Sequence, residues 1–372
     1  MTLNLLKMAK IKMKICANFV WHLLYFIGNI SDQVSSCSRE NQSLDKVDNQ
    51  ELRNYSTLDF SNRKLKTLDE NTFASNLFLE ELNLSDNELS TLPLTVFNKT
   101  RHLRKLFLQN NSLAALPSSQ FEGLINLTQL NLSRNTIFLH HNGLFTPDLK
   151  NLEILDLSHN RLSKLEASTF DNLTSLQVLN LENNQIHTIS KDVFTYQTKL
   201  EVLNLANNKI SEVNFIECFR NLQSLKELHL EGNMLQGFNS LSKLKSLKWL
   251  NVSSSKLKWF DYAFIPRNLE FLDIHGNQIE ELGNYYQLKN GYSLKYLDAS
   301  SNQIQHLDKF SLLPSIETII LNHNAINEVK ENTFEDKTNL SHIDLASNFI
   351  KYLSPKTLLS NRPRKLSTSE SK

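Results

Sequence analysis

The chain has 372 residues, with 40 Lys and Arg against 39 Asp and Glu, a balance that leaves no basic excess for a nucleic acid. Eight Gly and seven Pro over that length leave little room for an architecture of tight β-turns or long linkers. Three Cys are too few for the disulfide-rich end caps that secreted solenoids use.

In chain order, Lys7, Lys10, Lys12 and Lys14 come first, ahead of an apolar run from Ile15 to Ile30. This is the layout of a secretory signal, more compact if translation starts at Met13. The run falls short of the ~20 residues of a spanning helix and contains Asn18 and His22. Residues 1–36 are expected to be a signal peptide and leader, and 37–54 a flank without a full cysteine cap.

A repeat follows. "LEELNLSDNEL" from Leu79 returns as "LRKLFLQNNSL" from Leu103, "LTQLNLSRNTI" from Leu127 and "LEILDLSHNRL" from Leu152. Thirteen copies, from Tyr55 to the one starting at Leu340, recur at intervals of 22 to 25 residues. The LxL alternation has period two and predicts a short strand with its leucines on one side. One turn cannot bury those leucines, but stacked turns can. The predicted fold class is an α/β solenoid, a leucine-rich repeat horseshoe with a parallel sheet on its concave face, over residues 55–353.

Asn87, Asn111, Asn135, Asn160 and later counterparts to Asn348 fill one slot of the repeat, where an amide satisfies main-chain groups as the strand turns away. Arg63 and Ser255 break that slot. On the far arm Phe73, Phe97, Phe121, Phe145, Phe170, Phe194 and Phe334 predict a second buried row, which fails between Leu225 and Ile316. Repeats also shorten there, around "LKWFDYAFIPRNLEFLDIHGNQIEELGNYY" from Leu257.

Eleven Asn-x-Ser/Thr sequons accompany the array. Asn41, Asn54, Asn98, Asn126, Asn172, Asn251 and Asn339 are the candidate glycosylation sites. Cys37 and Cys218 are about seven strands apart at ~4.8 Å each, beyond disulfide reach. The tail, residues 354–372, abandons the pattern and reads as disordered.

The irregular passage resembles the ectodomain of Toll-family receptors, the long-ectodomain insect type of which Tollo is an example. The likeness rests on Trp259, Phe260, Asp261, Tyr262, Ile265 and Pro266, on Leu272, Asp273, His275, Asn277 and Ile279, and on Leu282 to Tyr285. The stretch from Ser315 to Ile350 follows the same family's next repeats. The resemblance implies an extracellular recognition module for protein ligands, such as Spätzle-like cystine-knot proteins, or for another leucine-rich receptor, in innate immune or developmental signalling. It also implies cysteine-rich caps, a membrane span and a signalling domain, none of which this sequence carries. A truncated receptor or a soluble binder is therefore expected, with membrane association only through missing downstream segments or an uncleaved N-terminal anchor. The alternative is an intracellular leucine-rich scaffold, to which a lack of disulfides comes naturally.

Catalysis finds no support. His140 and His141 are adjacent but have no metal-site or nucleophile motif beside them, and adjacent residues of an extended segment point apart. No enzyme activity, cofactor or metal is expected. On the sheet, the row Asp59, Asn83, Asn131, Asp156 through Asp344 reads as a solvated polar ladder. Lys248, Glu270, Lys295 and Glu317 alternate in sign at the strand entrance, as stabilising cross-strand pairs would. Trp249, Phe271 and Tyr296 occupy one column in consecutive repeats. Exposed, that column would be an interface anchor, with Asp273 and Asp298 beside it; stacked, it would stabilise the sheet.

Overall fold

The computed structural model describes residues 55–139, 144–237, 241–358 and 365–368. The leader and flank, with Cys16, Cys37, Asn41 and Asn54, and the His140–His141 pair lie outside the described residues. Every predicted copy carries a three-residue strand, from Thr57–Asp59 and Glu81–Asn83 through His342–Asp344. These strands lie side by side in chain order in one parallel sheet of 14 strands. Pairing is in register, so Leu82 sits beside Leu106 and Leu106 beside Leu130. Strand leucines such as Leu82, Leu106 and Leu130, and the next leucines Leu84, Leu108 and Leu132, are fully buried. The core is a continuous stack of these layers.

The asparagine slot ties the stack together. Asn135 donates through Nδ2 to the carbonyls of Leu132 (3.0 Å) and Ser133 (3.1 Å) in its own turn and of Leu108 (3.0 Å) in the preceding one. Its Oδ1 accepts from the N–H of Leu113, also in the preceding repeat, at 3.0 Å. Asn111, Asn160, Asn184, Asn208, Asn277, Asn302, Asn324 and Asn348 repeat the arrangement. The two amide hydrogens are shared among three carbonyls and the oxygen has an N–H partner, so no group of this buried side chain is left unpaired. Ser255 cannot reach as far. Its hydroxyl meets only the Ser253 carbonyl, at 3.5 Å, and among the described residues nothing accepts from the N–H of Leu235. The residue before the slot takes the left-handed conformation in most repeats, as at Arg134 (φ 52°) and Asn183 (φ 52°). Gly232 and Gly276 stand at the equivalent place, with φ 68° and 66°.

Two expectations are corrected, one on the far arm and one on the tail. The far arm of the solenoid consists mostly of turns, 3-10 segments such as Pro147–Asn151, and the four-residue helix Phe215–Cys218 capped by Asn214. Its phenylalanines stack as expected, at 6.4 Å for Phe73 on Phe97 and 6.1 Å for Phe170 on Phe194. The row resumes at Phe310, 5.7 Å from Phe334, earlier than the sequence indicates. Finally, the tail is not wholly outside the fold: Lys365–Ser367 forms the last strand, paired with His342–Asp344, and Leu345 N–H donates to the Ser367 carbonyl at 2.9 Å. A three-residue strand needs only one xLx and an open sheet edge, so overall composition does not reveal it. Ile343 and Leu345 are consequently buried, while Phe349 and Tyr352 stay exposed.

Candidate protein-binding face

On the sheet face opposite the leucines, the Asn/Asp row is not a solvated ladder. Each Oδ1 folds back onto the main-chain N–H two residues on: Asn83 to Ser85 (3.0 Å), Asp156 to Ser158 (2.9 Å), Asp273 to His275 (3.1 Å) and Asp298 to Ser300 (3.1 Å). This local closure is an Asx turn. It curls each strand into the slot that follows, and Asn83, Asp273 and Asp298 are buried as they make it. Among the three, Asp273 and Asp298 are also candidate binding residues, and both have this structural task first.

Trp249, Phe271 and Tyr296 do lie side by side, in register on three adjacent strands. Their rings stack almost parallel, with centroids 3.3 Å apart for Trp249 on Phe271 and 4.5 Å for Phe271 on Tyr296. At 6%, 2% and 1% exposure, the column is not the exposed one that an anchor requires. The reason is geometric: flat rings at strand spacing cover one another's faces. Beneath their entrance, Glu270 pairs with Lys248 at 3.0 Å and Lys295 at 2.7 Å. Burial would raise the Glu270 carboxyl, but Lys295 and Lys248 outweigh it and hold it below the usual range.

Two polar groups flank the stack. His229, next to Trp249, stands 3.7 Å from both Glu227 and Glu231. Burial disfavours its charge, yet the two carboxylates prevail and raise the imidazole to about 9. On the other side, Asp273, His275 and Asp298 bring ligand-type atoms within 4.8 Å of one another. That donor set could accept a divalent cation, but both carboxylates already accept main-chain N–H groups, and His275 Nδ1 lies 2.6 Å from Asp273.

The irregular passage builds a second surface that the sequence pattern did not reveal. Phe260–Asp261 pairs with Leu282–Gly283 in a small parallel sheet of its own. The Asp261 carboxylate, fully buried, accepts from Ala263 N–H at 2.6 Å and from Tyr285 N–H at 2.7 Å, tying two successive loops together. Gly283 permits that approach, since a Cβ there would stand 2.9 Å from the Phe260 carbonyl oxygen. Tyr292 donates to the Tyr262 carbonyl at 2.7 Å and closes the loop from beneath. With the loops fixed, Trp259 is 44% and Tyr286 65% exposed. Phe264 bridges them edge to face, at 5.3 Å and 6.0 Å. Trp259 and Phe264 also line a groove of about 590 Å³ with Val213, Gln236 and Gly237. A usable signal existed: the equivalent position in other repeats holds Lys164, Thr188, Glu212, Gly237 and Glu281. A tryptophan among polar residues has no packing reason to be there.

The sequence profile of the leucine rich repeat family matches residues 101–147, 150–210, 198–257, 267–326 and 314–362, and a single further repeat matches 78–99. Toll-like receptor 7 of Drosophila melanogaster is 38% identical over 122 residues, covering 32% of this chain and 8% of that protein. The Toll–Spatzle complex, a hub in Drosophila development and innate immunity, superposes with a TM-score of 0.66 at 25% identity, over 84% of this chain and 46% of that one. A leucine-rich repeat protein of Leptospira interrogans gives a TM-score of 0.63 at 30% identity, over 82% and 81%. The chain thus spans under half the length of the Toll proteins it resembles. With a matching profile along most of its length and the ladder, leucine layers and parallel sheet all in place, the chain belongs to the leucine-rich repeat family, and Toll receptors are among its relatives.

Proposed function

We propose that the chain is an extracellular recognition module that binds a protein partner. The observation that carries this reading is the exposed Trp259–Phe264–Tyr286 cluster, held by the Asp261 tie on the one stretch where the repeat breaks its own pattern. Regular repeats stack most of their phenylalanines in the buried row and expose only scattered rings such as Phe78 and Tyr196. Here a rigid scaffold presents a cluster of rings to solvent, and aromatic anchors of this kind dominate protein interfaces. Likeness to a Toll chain solved with its Spatzle ligand supports a secreted protein as partner over a small molecule. In this reading the Trp249–Phe271–Tyr296 stack, with Asp273 and Asp298, sets the stiffness and spacing of the adjoining sheet, and the flank makes the contact.

The test compares two variants against a cystine-knot ligand of the Spätzle kind. Trp259→Ser with Tyr286→Ser should abolish binding and leave the melting temperature nearly unchanged. Trp249→Ser, Phe271→Ser and Tyr296→Ser together should lower the melting temperature by many degrees. If the flank variant binds as well as the parent, the contact surface lies elsewhere.

A further inference from the structure

Eight sequons lie on described residues, and the fold separates them into three kinds. Asn83, Asn131 and Asn251 end sheet strands, with Oδ1 held by the N–H of Ser85, Ser133 and Ser253. Each has a neighbouring strand on both sides, about 4.8 Å away: Asn251 stands between His229 and Asp273. In a second group the side-chain amide itself is engaged. Asn110 Nδ2 donates to Asp86 at 2.7 Å, Asn126 to the Arg101 carbonyl at 2.9 Å and Asn172 to the Phe145 carbonyl at 2.8 Å. All three acceptors belong to the preceding repeat, so these amides sit in the seams between turns. Asn98 and Asn339 are exposed and off the strands, as Asn110 and Asn126 also are, but among the described sequons they alone have an Nδ2 with no protein acceptor and no neighbouring strand beside them.

We infer that Asn98 and Asn339 carry the N-linked glycans of the described array and that the other six sequons stay bare in the folded, secreted protein. This rests on the extracellular reading above. In the transfer, Asn Nδ2 forms a bond to C1 of a lipid-diphosphate-linked oligosaccharide. The bond from C1 to the diphosphate oxygen breaks, the lipid diphosphate leaves with the electron pair, and the amide gives up one proton. Transfer precedes stacking, because a repeat closes only on its neighbours. A sugar on a strand or seam amide therefore obstructs the closure of its own turn, whereas a sugar on Asn98 or Asn339 extends into solvent.

The experiment is peptide-level glycan mapping of the full chain secreted from insect cells, alongside an Asn98→Gln/Asn339→Gln variant. The expected result is sugar at Asn98 and Asn339 in most molecules and none at Asn83, Asn110, Asn126, Asn131, Asn172 or Asn251. The double variant should lose every glycan from residues 55–358 and still be secreted. Sugar at Asn172 or Asn251 in place of Asn98 overturns this inference and leaves the extracellular reading standing. A chain bearing no sugar at any asparagine overturns both.

Discussion

The repeats from Leu79 to Asn208 and the passage from Leu247 to Tyr292 share strand register and leucine layers, yet hold their turns by different means. In the first region the asparagine ladder is unbroken and the far arm stacks phenylalanine on phenylalanine. In the second, Ser255 opens the ladder, and a buried aspartate and an aromatic stack on the opposite sheet face take over. Regularity spreads stability evenly over many equivalent bonds. The irregular passage concentrates it in a few residues, and in exchange gains loops that can present side chains outward.

That contrast can be tested by substitution. The largest effect should come from Phe271→Ala, which empties the middle of the stack; we expect a loss of about 3–4 kcal/mol in chemical denaturation, with the repeats around it becoming susceptible to proteolysis first. Asn135→Ala in the regular region should cost about 2–3 kcal/mol, since the Leu113 N–H loses its acceptor. If Asn135→Ala proved the costlier of the two, stability would not be concentrated where we place it. Ser255→Asn should act in the opposite direction. By restoring an acceptor for Leu235 it should stabilise by about 1 kcal/mol, and a neutral result would mean that the neighbouring turns have already adapted to serine.

A last effect depends on pH. His229 has a folded value, about 9, above its ordinary 6.5. Its charge therefore contributes stability that is complete below about pH 6.5 and is lost as pH rises through about 9. A rise of that size corresponds to about 3 kcal/mol, an upper bound here because both carboxylate contacts are long, at 3.7 Å. Relative to His229→Gln, the parent should lose up to that amount between pH 6.5 and 9.5; parallel stability curves would show that the histidine is not held charged.

Strands and slot were legible because each is a periodic demand that one turn repeats for the next. The Asx row was not, since a polar residue facing water and one folding back two positions obey the same pattern. Ser85, Ser133, Ser158, Ser253 and Ser300, each two residues after its Asx, are the trace of that closure. The column of Trp249, Phe271 and Tyr296 was found by spacing alone, but whether rings meet solvent or each other depends on rotamers, which spacing does not specify. Trp259 belongs to the passage that resembles Toll receptors, and its polar column is the one sequence signal of its exposure. Only the position of Asp261 beneath two loops explains why it is held outward.

The asparagine ladder has a direction. Every slot amide reaches back, accepting from and donating to the repeat before it, so a turn receives its final bonds from a residue that is synthesised roughly one repeat later. On a ribosome this makes assembly vectorial: each newly made turn stays loosely closed until its successor emerges, and the boundary between closed and open chain advances one tooth at a time. At Leu235 the tooth is absent, because Ser255 brings no amide. A growing chain should hesitate there, and a chain pulled apart from its C-terminal end should release everything beyond that point before the turns ahead of it give way.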